Sequence, residues 1–198
     1  MKIVAILSQK GGAGKTTLAL HIAAAAEAAG KPSVVIDLDP QASAAGWKDT
    51  RESEGPVVVP LPHTRLAAGL QAAKDGGASL AVIDTAPHSE GAAMAAARAA
   101  DLVLIPCRAG SLDLRAISTT AELVKLAGKP AYVVLNALPP RASQVQSDAR
   151  EAVAVHGVKV APVTLQQRAA YGHALTVGKT VCCVAALAAM HIASNGVK

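Results

Sequence analysis

With 198 residues, 52% of them hydrophobic and 17% charged, the chain is long enough to bury one α/β core and too apolar to be disordered. It has no Phe, one Trp and two Tyr, which argues against recognition of single-stranded nucleic acid by aromatic stacking. The net charge of +5 is uneven: residues 141–198 hold six Lys and Arg against two acids, residues 1–140 hold 13 against 12, so a basic face for nucleic acid or anionic lipid would belong to the C-terminal part.

Strands alternate with helices along the chain. Ile3–Leu7 is an apolar strand running into a glycine-rich loop. Thr16–Ala29 is an Ala-rich helix stopped by Gly30, with Pro32 beyond. Val34–Leu38 is the second strand. Val57–Val59, between Pro56 and Pro60, is short and peripheral, and residues 40–62 around it read as a surface excursion. Arg65–Lys74 is helical and ends at Gly76-Gly77. Leu80–Asp84, Leu102–Pro106 and Ala131–Leu135 are buried strands, and helices fill Glu90–Ala99, Leu112–Leu126, Gln144–Val155 and Val181–Ser194. This order predicts one α/β domain over residues 1–198, a doubly wound, mostly parallel sheet with helices on both faces. Such sheets bind ligands beyond the carboxyl ends of their strands. No apolar run reaches a membrane span and the first residues lack a signal-peptide plan, so a cytoplasmic protein is expected. Cys107, Cys182 and Cys183 form no C-x-x-C pair and are expected to be small buried hydrophobes.

The loop after the first strand reads SQKGGAGKTT, Ser8 to Thr17. Gly14, Lys15 and Thr16 fit the end of a phosphate-binding loop, but Gln9 stands where the first glycine belongs, and a second lysine, Lys10, precedes Gly11 and Gly12. Gly11, Gly12, Ala13 and Gly14 let successive N–H groups turn inward, and the following helix offers its N-terminus to an anion. Lys15 can reach β- and γ-phosphates, Thr17 follows in the helix, and the Thr16 hydroxyl can ligate Mg²⁺. Magnesium needs further oxygen ligands. Asp84 ends the run LAVID, and Asp37 and Asp39 end VVIDLD, so parallel strands bring three carboxylates beside the loop. Asp37 is read equally well as a metal-site residue or as a structural group, a cap or a support for the residues of the site.

These residues resemble the ParA/MinD ATPases. KGGAGKTT is similar to their deviant Walker A motif, DLDPQ (Asp37–Gln41) to the motif after their second strand, and VIDTAP (Val82–Pro87) to their Walker B segment. ADLVLIPCRAGSLDLRA from Ala100 and VTLQQRAAYGHALTVGKTV from Val163 resemble later stretches, most nearly those of the small ParF-type partition ATPases. The resemblance implies a P-loop fold, ATP/ADP and Mg²⁺ as cofactors, and slow ATP hydrolysis. It implies that Lys10 reaches the phosphates of the other subunit in a nucleotide-sandwich homodimer, that Asp39 positions the attacking water, that Asp84 holds Mg²⁺ through water with Asp37 in support, and that Asn136 contacts adenine, with Pro162 near the base. It further implies a dimer that binds nucleoid DNA non-specifically and a cargo-bound, ParB-like adaptor that stimulates hydrolysis. Arg168 is the first DNA candidate, followed by Arg141, Arg150 and Lys179. A MinD-like membrane regulator is the alternative; the last segment, VCCVAALAAMHIASNGVK, is nearly uncharged and lacks the basic amphipathic plan such an anchor needs, so no membrane partner is expected.

Overall fold

The computed structural model describes residues 1–110 and 117–181. Seven parallel strands, β1 (Lys2–Ile6), β2 (Ser33–Asp37), β3 (Val57–Pro60), β4 (Leu80–Asp84), β5 (Leu102–Arg108), β6 (Ala131–Asn136) and β7 (Lys159–Val160), form one sheet in the order β3-β2-β4-β1-β5-β6-β7. The helices are α1 (Lys15–Ala28), α2 (Ser43–Asp49), α3 (Leu66–Asp75), α4 (Glu90–Ala99), α5 (Ile117–Ala127), α6 (Ser143–Ala154) and α7 (Ala169–Thr176).

Alternation along the strands builds two cores. Val4, Ile6, Val35, Val82 and Leu104 face one side and pack with Leu18, Ile22 and Ala26 of α1 and Trp47 of α2. Ala5, Ile36, Ile83, Ile105 and Leu135 face the other and pack with Leu66 and Leu70 of α3, Ala93 and Ala97 of α4, Val124 of α5 and Val153 of α6. Both faces of the central strands are therefore buried, which is why they read as continuous apolar runs. The predicted doubly wound parallel sheet is the fold observed.

Register decides what meets at the carboxyl ends. Asp84 of β4 is level with both Asp37 of β2 and Ile6 of β1, so the two aspartates flank the start of the glycine loop. On the other side Ile6 is level with Leu104, and β5 continues beyond that level to Arg108, which pairs with Asn136 of β6. The sequence pattern ends this strand at Pro106. It continues because the Leu7 N–H bonds to the Leu104 carbonyl, so alternate residues 104, 106 and 108 turn their polar groups toward β1, whose pairing has already ended. The missing N–H of Pro106 costs no ladder bond there.

The excursion expected at residues 40–62 contains α2. Its seven residues are held by tertiary contacts that periodicity cannot register: Trp47 is buried, and Asp37 Oδ2 accepts the Ala44 N–H at 3.0 Å. β7 and α7 were also missed, the first because it has two residues, the second because none of its residues is buried. The start of the expected Leu112–Leu126 helix, the Val181–Ser194 helix, Cys182 and Cys183 lie outside the described residues, apart from Val181. Cys107 is buried, as expected. Among the described residues no helix is long and apolar enough to cross a membrane.

Candidate functional site

A cleft of about 450 Å³ opens over the carboxyl ends of the strands. Its floor is the glycine loop and the first turns of α1, Gly11, Gly12 and Gly14 to Leu18; Asp39 and Pro87 line one side, Asn136 and Leu165 to Arg168 the other. This volume suits a nucleotide-sized ligand.

The loop owes its shape to contacts across the sheet. Gly14 adopts φ 94°, and a Cβ there would collide with the Asn136 side chain. Asn136 Nδ2 donates to the Ala13 carbonyl at 2.9 Å, and its Oδ1 accepts the Ala137 N–H at 2.8 Å. Asn136 thus ties β6 to the loop and keeps one N–H for a ligand. Ala13 itself is buried beneath the loop.

Lys15 is buried, and its ammonium donates to the Lys10 carbonyl at 3.1 Å. Burial pulls its pKa below the ordinary lysine value, while Asp84 and then Asp39 push it back up. Lys10 does not line this cleft. It borders a small gap between the loop and β5–α5, with Ser8, Cys107 and Thr120. The two lysines therefore occupy different surroundings, although the backbone of one holds the head of the other.

The three aspartates also differ. Asp84 is fully buried, and neither carboxylate oxygen has a hydrogen-bond partner among the described residues. Desolvation pushes its pKa up to about 7. The Thr16 hydroxyl and the Lys15 ammonium lie near enough to draw it down, without a hydrogen bond of good geometry reaching either oxygen. A buried carboxylate left in this state is suited to a cation, and Thr16 together with Asp84, the latter through water, would be the residues to hold Mg²⁺ here. Asp37 is equally buried, but its Oδ1 accepts the Asp39 N–H and its Oδ2 the Ala44 N–H, each at 3.0 Å. Its pKa is raised by burial and pulled back by those N–H groups. Of its two readings, metal-site residue or cap, this geometry favours the cap that starts α2. Asp39 faces the cleft, half-buried, with Oδ1 accepting the Gln41 N–H at 2.9 Å.

The base-side candidates divide. Asn136 lines the cleft, whereas Pro162 is exposed and does not. Leu165 to Arg168 are there instead, drawn alongside β6 by the Leu165 N–H bond to the Leu135 carbonyl and a bridge between Leu138 and Gln166. The DNA candidates are scattered. Arg168 lines the cleft and donates to Gln166 Oε1 at 3.1 Å. Arg150 is half-buried and donates to the Ala161 carbonyl at 3.3 Å. Arg141 and Lys179 are exposed.

Sequence reasoning missed His21, Arg108 and Tyr171 in the cleft. His21 Nδ1 sits 2.7 Å from the Thr17 carbonyl, and its Nε2 accepts the Val181 N–H at 3.2 Å. That pair of bonds fits the neutral Nδ1–H tautomer, and burial lowers the ring's pKa against the pull of the Thr17 carbonyl. Tyr171 meets the ring edge-on at 5.2 Å. The chain after α7 is fastened further by Trp47 Nε1, which donates to the Lys179 carbonyl, and by Arg51, which stacks on Trp47 at 4.9 Å and donates to the Gly178 carbonyl at 2.8 Å. Arg108 had a visible signal: it closes an apolar strand, as Asp84 does.

Comparison with known proteins agrees with this architecture. Residues 4–181 match the model of the CobQ/CobB/MinD/ParA nucleotide binding domain. The chain is 35% identical over 160 residues to the maintenance of carboxysome distribution protein A of Gloeobacter kilaueensis, covering 79% of this chain and 73% of that one. It is 30% identical over 187 residues to the protein of the same name from Halothiobacillus neapolitanus, covering 90% and 85%. The septum site-determining protein MinD of Pyrococcus horikoshii, solved as its Mg-ADP complex, shares the fold at 16% identity, with a TM-score of 0.73 over 98% of this chain and 96% of that one.

Proposed function

From a chain that belongs to the CobQ/CobB/MinD/ParA nucleotide-binding domain family, we infer a ParA-like positioning ATPase whose hydrolysis of ATP, with Mg²⁺, controls a dimer. The observation that carries the reading is the buried Asp84 carboxylate, unpartnered among the described residues, beside Thr16 and Lys15 of a loop with two lysines.

The residues divide the work by position. Amides from Gly11 to Thr17 and the Lys15 ammonium hold the phosphates. Thr16 and Asp84 hold Mg²⁺, which supplies positive charge against the phosphate oxygens when bound. Asp39, across the cleft from Asn136, orients the attacking water. Asp37 supports it by fixing the Asp39 backbone. Lys10 lies outside its own cleft and serves the nucleotide of a second copy, so ATP favours the dimer by binding it more tightly than the monomer. Turnover is slow until a cargo-bound, ParB-like adaptor stimulates it.

Outputs of the cycle are non-specific, nucleoid-associated DNA binding and movement of a cargo in the cytoplasm. The carboxysome-distribution relatives support a cargo-positioning role. Because Arg168 faces the cleft, Arg141, Arg150 and Lys179 remain as the DNA candidates, with phosphate contacts doubled by dimerisation. The test is DNA co-sedimentation without nucleotide, with ADP and with ATP across a salt series, using wild type and Asp39→Ala, with anionic liposomes in parallel. Wild type should bind DNA with ATP alone and lose it with salt, and Asp39→Ala should stay bound as an ATP dimer with little turnover. Equal binding in all nucleotide states refutes the ATP-controlled reading; ATP-dependent liposome binding without DNA binding would support a MinD-like role instead.

A further inference from the structure

Arg108 has no part in the scheme above. Its side chain is exposed, and no carboxylate or other acceptor among the described residues engages its guanidinium. Yet it lines the same cleft as Gly11, Lys15 and Asn136. An arginine in that position, without a counter-charge among the described residues, is a group suited to bind an anion.

Topology says which part of a ligand it meets. β5 lies between β1, which feeds the phosphate loop, and β6, which ends in Asn136. Arg108 is level with Asn136, and its strand continues past the level of Ile6 from Leu104, a rise of about 13 Å at the usual strand spacing. Side chains alternate, and Leu104 belongs to the α1 side of the sheet, so Arg108 points to the side where Thr17 and His21 line the cleft. Asp84 ends β4 and Asp39 follows the end of β2, both strands lying on the far side of β1 from β5. The terminal phosphate goes there. Arg108 stands between the two halves, where a nucleoside 5′-phosphate carries its α-phosphate and ribose.

We propose that Arg108 binds the α-phosphate and ribose of the nucleotide; this rests on the nucleotide reading given above. The α-phosphate is common to ATP and ADP, so the contact stabilises both equally and does not discriminate the triphosphate. It is separate from Lys15, which addresses the terminal phosphates.

The experiment measures affinities of Mg-ADP and of a Mg-bound non-hydrolysable ATP analogue, by calorimetry, for wild type, Arg108→Ala and Arg108→Lys, each checked by thermal melting. Arg108→Ala should weaken both nucleotides by the same factor, roughly 10- to 100-fold for a lost charge-assisted hydrogen bond. Arg108→Lys should recover part of the loss, because it keeps the charge without the planar fork. Unchanged affinity in Arg108→Ala overturns the proposal and leaves the nucleotide reading intact. Loss confined to the ATP analogue also overturns it, by placing Arg108 at the terminal phosphate. Failure of wild type to bind either nucleotide removes both readings together.

Discussion

Replacing Asp84 by Asn isolates the energetic role of one buried carboxylate. Asp84 is held at a pKa of about 7 against an ordinary 3.8, a rise of about three pH units, and each unit is worth about 1.4 kcal/mol. The folded protein therefore binds this proton more tightly than the unfolded chain does. Its cost to stability is absent below about pH 4, grows as pH rises, and is fully present above about pH 7, where it reaches roughly 4 kcal/mol. Asn has nearly the same shape and no charge. Its amide lacks partners just as the protonated carboxyl does, a cost of about 1–3 kcal/mol common to both. The pH profiles of the two proteins should therefore diverge: they are of similar stability near pH 4, and the variant is the more stable near pH 8. Urea unfolding without nucleotide or Mg²⁺ measures this. Between about pH 4.5 and 8 the wild type should lose roughly 3 kcal/mol more than the variant, since groups away from this site titrate alike in both. Adding Mg²⁺ and ATP at the higher pH should then stabilise wild type far more than Asp84→Asn. Parallel pH profiles would refute the reasoning, because they would mean that Asp84 is solvated or paired in the folded protein.

Gly14→Ala should destabilise the protein by about 1–3 kcal/mol and abolish nucleotide binding, since a side chain at φ 94° is strained and strikes Asn136; a thermal melt and an ATP-binding assay check both effects. Lys10→Ala should keep nucleotide binding by the monomer within a few-fold while losing ATP-dependent dimerisation in light scattering, because its side chain lies outside the cleft and its carbonyl still accepts Lys15. A persistent ATP dimer in that variant contradicts the assignment. Trp47→Ala should cost about 3–5 kcal/mol in urea unfolding, whereas Trp47→Phe, which keeps most of the buried surface but loses the bond to Lys179, should cost nearer 1. Equal losses in the two would show that the indole N–H, not its volume, anchors α2.

Sequence by itself determined the sheet, because strands buried on both faces must be apolar throughout, and it determined the floor of the site, because an anion nest needs Gly11, Gly12 and Gly14 in local order before Lys15 and Thr16. It also put Asp84 and Asp39 at strand ends, where parallel topology gathers them. Three things were decided only by tertiary structure. Asp37 and Asp84 look alike in sequence, each ending an apolar strand, and are level in the sheet; yet one accepts the backbone N–H groups of Asp39 and Ala44 and the other has no hydrogen-bond partner among the described residues. The cleft wall came from Leu165 to Arg168 rather than Pro162, since the Leu165 N–H bond to the Leu135 carbonyl joins segments far apart in the chain. And the extra length of β5, which lifts Arg108 into the cleft beside Asn136, depends on Pro106 facing a neighbour whose pairing has ended. Local patterns record which face a residue buries. They do not record which N–H group meets a carboxylate, and that choice separates a structural aspartate from one left open to a cation.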